Sequence, residues 1–267
     1  MTLSADIQKL QRHFIPADFV VTTWDNLEPF FKELLDRTIA SKQDLEQWLK
    51  DMSELEAIVS EDACWRQIKM TCDTTDKTLE DAFTYFCMQI QPQLQPYADA
   101  LNKKLIACPF TQELDQQKFF TYLRSVKKNI DLFREENISI QAEMSVQQQQ
   151  YGAIAGKMSV EVHGKEYTLQ QAAKFLENED RSLREEVYIK INERRLQDAE
   201  TMQDLYSALI AKRHAIAVNA GFDNYVDYKF AELGRFDYTK EDCFNFHEAV
   251  KLHVLPLIEK IYEKKKN

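Results

Sequence analysis

Glycine and proline are scarce in this chain, with 5 and 6 copies in 267 residues. Average usage, roughly 7% and 5%, would give about three times as many glycines and twice as many prolines. Few tight turns can be built, so the elements must be long, and long elements are helices. No stretch reaches the ~18 uninterrupted apolar residues of a membrane-spanning helix. Met1 to Val20 mixes Asp6, Lys9, Arg12, His13 and Asp18 among its apolar residues, which leaves no signal-peptide core. A basic surface is missing too. The net charge is -10, whereas a non-specific nucleic-acid binder needs cationic groups to displace counterions. The lysine run Lys264, Lys265 and Lys266 reads as a solvated helix face. Five cysteines, an odd number with no C-x-x-C, fit reduced thiols in a cytoplasmic protein better than a disulfide framework.

What is present is a helical periodicity. Leu27, Phe30, Phe31, Leu34, Leu35 and Thr38 recur at i, i+3, i+4 and i+7, with Thr23 or Asp25 as cap. Ser41 opens a second helix through Leu45, Trp48, Leu49, Met52, Leu55 and Val59, continuing past Trp65 and Ile68. Thr74, Thr75 and Asp76 break and recap the chain. A third helix carries Leu79, Phe83, Phe86, Ile90, Leu94, Tyr97 and Leu101, and Pro92 and Pro96 predict a kink or break within it. A fourth holds Phe119, Phe120, Leu123, Ile130 and Phe133. Residues 138–157 differ in character: a glutamine run, Gln147 to Gln150, precedes Gly152 and Gly156. They read either as a segment connecting a helical region 1–137 to a second region 158–267, or as a glutamine-faced helix.

The period then switches to two. Met158, Val160 and Val162 alternate with Ser159 and Glu161, which predicts a β-hairpin over 158–167. A His163-Gly164 turn would set Glu161 opposite Glu166. A Gly164-Lys165 turn sets Val162 opposite Tyr167, and cross-strand pairing favours this second register. Thr168 to Gln171 forms a capping box. Asp180 caps a helix expected to run unbroken to Asn219, with Gly221 as its left-handed stop. A short helix follows from Asp223 or Asn224. A last one runs from Thr239 through Phe246, Val250, Val254, Leu257 and Ile261. The fold class is mainly α: long antiparallel helices with one small hairpin.

Chemistry is harder to find. His214, His247 and His253 lack a histidine or carboxylate three or four residues away, which removes both the Glu-x-x-His and the H-E-x-x-H zinc patterns. His247 and Glu248 begin the latter, but Lys251 stands where the second histidine is needed. Cys243 lies one turn from His247, and two ligands do not make a site. Gly152 to Met158 resembles a phosphate loop one residue short, with Met158 in place of the magnesium-binding Ser or Thr. No catalytic, metal-binding or substrate-binding residue is assigned from these patterns.

An ordered set of segments behind Gln150 carries a resemblance. They are Val160 to Tyr167, Thr168 to Glu177, Asp180 to Tyr188 and, after a long helix, Gly221 to Tyr228. Together they resemble the opening of the peptidase domain of the oligoendopeptidase F family, relatives of thimet oligopeptidase. The front of the chain, to about residue 137, fits that family's helical N-terminal region in general character. The resemblance implies a zinc metalloendopeptidase hydrolysing short peptides in a channel between two helical halves. Its zinc would be held by an H-E-x-x-H helix and a downstream Glu. No such positions occur here, so the resemblance implies a truncated N-terminal portion, inactive by itself, whose last helix either is covered by helix 183–218 or is left partly uncovered, to fray, to fold back onto residues 183–218 or to self-associate. A non-catalytic helical binding or scaffold protein is the alternative.

Overall fold

The computed structural model describes residues 12–266. Its helices are α1 (Trp24–Asp36), α2 (Lys42–Cys72), α3 (Lys77–Tyr85), α4 (Gln91–Ala107), α5 (Gln116–Leu132), α6 (Glu136–Gly156), α7 (Leu169–Ala172), α8 (Arg181–Gln197), α9 (Ala199–Asn219), α10 (Tyr225–Glu232), α11 (Lys240–Ala249) and α12 (Leu255–Lys266). One antiparallel hairpin, β1 (Ser159–Val162) and β2 (Lys165–Thr168), interrupts them.

The first core lies among α1, α2, α4 and α5. Leu27, Phe31 and Leu34 of α1 meet Leu45, Trp48, Met52 and Leu55 of α2, all within 2% of full burial. The indole N–H of the wholly buried Trp48 donates to the Leu34 carbonyl at 2.8 Å, so its one polar atom is satisfied. The C-terminal carbonyls of α1 find a single donor group: Lys104 of α4 reaches Leu34, Leu35 and Arg37 at 2.9, 2.6 and 2.6 Å. An ammonium there both satisfies orphan carbonyls and complements the helix dipole.

The caps expected at Ser41, Asp180 and Thr239 are formed, each accepting an N–H of the first turn. The kink expected at Pro92 takes a specific form. Residues 86–90 make a π turn, in which the Gln91 N–H bonds to the Phe86 carbonyl five residues back. Widening the helix here removes the bond that Pro92 cannot donate and makes room for its ring. The same device recurs before Pro256, where 250–254 form a second π turn and Leu255 bonds back to Val250. Residues 138–157 are not an irregular linker; all but Lys157 belong to α6. Gly156 in its last turn lies against the turn between α2 and α3, where an added Cβ would come 3.1 Å from the Thr74 hydroxyl.

Two expectations fail. The hairpin takes the other register: Val160 pairs with Tyr167, Glu161 with Glu166, and Val162 with Lys165. The turn decides it. His163 and Gly164 both have positive φ, 52° and 71°, as a type I′ turn requires, and histidine is among the residues that tolerate this region. Val160 and Val162 stay buried in this register, and the two glutamates face water. Like charges there repel by only about 1 kcal/mol at contact, and the Ser159 hydroxyl and Lys190 ammonium hydrogen-bond to Glu166 and to the Glu161 carbonyl. The helix expected to run unbroken from Asp180 to Asn219 is divided at Asp198. There φ is -103° and ψ 10°, and the N–H bonds three residues back to Arg195. Arg194 holds the Asp198 carboxylate at 2.5 Å.

Glu54 of α2 anchors the start of the described chain. Its carboxylate accepts the backbone N–H groups of His13, Phe14 and Ile15 at 2.9, 3.0 and 2.8 Å. Partial burial would raise its pKa, but the three donors outweigh that and hold it below the ordinary value of 4.5. A depressed carboxylate pKa gives stability that is present above the unfolded value and lost as pH falls through the folded one. Glu54→Gln is expected to cost roughly 1–2 kcal/mol at neutral pH. The deficit should shrink toward zero in acid, read from urea unfolding of both proteins between pH 7 and pH 3.

Candidate functional site

The residues singled out for chemistry are not brought together. His214 on α9, His247 on α11 and His253 in the second π turn are all exposed, and so is His163 in the hairpin turn. Among the described residues no group of three or more His, Cys, Asp or Glu could hold a metal ion. These side chains therefore do not fit a zinc ion, and no step through a metal is derived from them. Cys87 is unsuited to nucleophilic work: burial pushes its thiol up to about 11, which keeps it protonated at neutral pH. The run Gly152 to Met158, similar to a phosphate loop, is the end of α6 and the entry to β1, with its N–H groups spent on the helix.

What the fold does build is a polar junction. The end of α5, the start of α6, and helices α4 and α10 converge on a cavity of about 280 Å³, with the end of α9 packed beside it. Asn137, 2% exposed, donates to the Ile216 carbonyl at 3.0 Å and accepts from the Asn219 amide at 2.8 Å. Arg134 reaches the carbonyls of Phe133 at 2.6 Å and Ala220 at 3.3 Å. Asp99, 8% exposed, pairs with Lys103 at 2.6 Å through one oxygen, while its other oxygen has no hydrogen-bond partner. Burial pushes the Tyr228 hydroxyl up to about 12. Below these groups, Leu132 packs with Ile216, Ala217, Ala220 and Tyr228. The junction joins the front of the chain to the back. It holds no nucleophile with an adjacent base, and its chemistry is that of an interior seam.

A second feature faces water. Glu56 of α2 and Tyr122 of α5 are both accessible, yet loss of surrounding solvent raises both pKa values, and the Glu56 charge raises Tyr122 further. Neither Glu56 nor the Asn137 junction was marked by sequence spacing. Glu56 reads as an ordinary polar-face residue, and Asn137 as one more polar residue near the start of a helix. The only signal for Asn137 was indirect: it sits near Leu132 and Phe133, where an apolar stripe ends.

Comparison with known proteins places this geometry. A model described as "Peptidase M3 N-terminal domain" matches residues 14–133, and one described as "Peptidase family M3" matches residues 174–267. No curated protein matches the chain. Among solved structures, a chain assigned as an oligoendopeptidase F is 24% identical with a TM-score of 0.85, covering 91% of this chain and 43% of that one. PZ peptidase A, solved with an inhibitor, is 22% identical with a TM-score of 0.84, covering 90% and 43%. A further chain assigned as an oligoendopeptidase F, from Bacillus anthracis, is 20% identical with a TM-score of 0.85, covering 95% and 47%. The chain thus spans less than half the length of the solved structures it matches.

The seam makes a testable claim about how the two matched regions are joined. Asn137→Ala leaves the Ile216 carbonyl and the Asn219 amide without their buried partner. It is expected to lower unfolding stability by roughly 2–3 kcal/mol, measured by urea denaturation, with no loss of helical circular dichroism in the folded baseline.

Proposed function

The chain belongs to peptidase family M3, and on that footing we propose that it forms the N-terminal portion of a zinc metalloendopeptidase acting on short oligopeptides in the cytoplasm. The observation that carries the reading is the serial order of the two family matches, residues 14–133 and then 174–267, on one continuous fold. In this reading the chain contributes one wall of the substrate channel. Zinc would be held by residues outside this sequence, since the histidines within it are dispersed. The chain's own contribution is to bind and orient a peptide; activating water at the metal belongs elsewhere. Neither nucleic acid nor membrane is a partner. Among the described residues no helix is long and apolar enough to cross a bilayer. Self-association through the last helix completes the set of partners.

The absence of a metal-ligating group among the described residues favours one other reading, a helical binding or scaffold protein that keeps the family's fold without its chemistry. Peptide affinity is common to both readings; hydrolysis by the family-length protein separates them.

For this chain itself the expectation is specific. Purified residues 1–267 should bind no stoichiometric zinc in calorimetry and should not cleave a quenched fluorescent peptide. Tight one-to-one binding, or cleavage that a chelator abolishes, would contradict the proposal.

A further inference from the structure

The loop from Leu233 to Thr239 joins α10 to α11, and its start is set locally. Gly234, at φ 61°, ends α10 in a Schellman turn. The Arg235 N–H reaches the Phe230 carbonyl and the Gly234 N–H the Ala231 carbonyl, both at 3.1 Å. The Phe236 N–H then bonds to the Gly234 carbonyl at 3.0 Å. Its ring folds back over the glycine, where an added Cβ would come 3.3 Å from it. The Arg235 guanidinium lies 4.8 Å from the Phe230 ring centre and 5.9 Å from that of Tyr238, and the two rings meet edge to face at 5.9 Å. The loop is a body with packing of its own.

A second arginine ties that body to α5. Arg124 sets its guanidinium 4.1 Å from the Phe236 ring centre and 5.2 Å from that of Phe120, one turn earlier on the same helix. Phe236 is half-buried, whereas its neighbours from Leu233 to Thr239 are exposed. Arg124 also meets the Asp237 carboxylate at 3.2 Å across 113 positions, but that side chain is 81% exposed. An ion pair so open to water adds little. The Arg124 Nε is buried and has no hydrogen-bond partner. A buried donor without an acceptor works against closure. The contact is thus held by ring faces on a planar cation, and it joins the two regions matched by the family models.

We propose that residues 233–239 form a strap that closes on α5 as one body and opens locally while the rest stays folded, with Arg124 as its catch. The ring contacts hold the strap down, and the unpaired Nε keeps the closed state near balance with an open one. Thr239, the last residue of the strap, caps α11. Arg124 is therefore a positioning residue, which acts on the start of that helix through Phe236.

Trypsin cleavage after Arg235 in the full chain, followed by mass spectrometry at low protease concentration, reads the open fraction. Each rate is divided by that of the matching free peptide. Arg124→Ala is expected to raise it about tenfold, with cleavage after Lys50 in α2 unchanged. Phe236→Leu removes the ring and leaves the cation; it is expected to give the same rise, and the double variant no more than either alone. Arg124→Lys keeps the charge without the plane, and should stay within about threefold of the alanine variant. Asp237→Asn should change the rate less than about twofold. A rate that Arg124→Ala leaves unchanged overturns the catch. Single effects that multiply in the double variant overturn the shared contact. An equal rise after Lys50 overturns local opening, since Arg124 would then serve the stability of the whole fold.

Discussion

Asn137 is the small hinge pin on which the back of the molecule depends. It is a buried amide with both of its polar atoms engaged, one on the Ile216 carbonyl and one on the Asn219 side chain. Those two bonds fix the end of α9 against the beginning of α6. Everything C-terminal to residue 157 follows from that placement. Helix α9 carries α8 at its other end through the single break at Asp198, and α8 in turn covers Val160 and Val162 of the hairpin. Gly221, in the left-handed conformation at φ 87°, turns the chain off α9 so that α10 closes over Leu132. A buried polar pair of this kind is strong because it is satisfied and because its alternative is an unpaired carbonyl in a dry seam.

The helices themselves were largely legible in the sequence. Stripes of period 3.6 and capping residues are local signals, and the breaks at Asp76, Asn224 and Thr239 lie where those residues accept a first-turn N–H. The hairpin was legible in position but not in register, because both candidate turns contained Gly164. What separated them was the willingness of His163 to take positive φ, which cross-strand pairing arguments do not weigh. The division at Asp198 was not legible either. Apolar periodicity runs through it, and the tightening depends on an ion pair with Arg194 one turn away. For the π turns the prolines announced a disturbance, and only its form was unforeseen. The seam lay beyond sequence reasoning, because it joins residues 79 positions apart.

The function follows a division of labour that the physics makes plain. A metal site needs several ligands converging within a few ångströms, and the exposed, scattered histidines of this chain do not converge. A channel wall asks for something else: long rigid helices that present polar groups in fixed places. In the proposed reading the long helices around the Trp48 core, tied by the Lys104 cap, take that part. The uncovered last helix belongs to the same picture. Its apolar side chains, Phe246, Leu257 and Ile261 among them, are exposed.

Reading the messenger RNA that encodes this chain beyond codon 267 tests the central claim most directly. The proposal of a zinc endopeptidase predicts an open frame continuing into an H-E-x-x-H helix with a glutamate downstream. A stop codon at that point, in a genome with no second gene encoding such a helix, would contradict it.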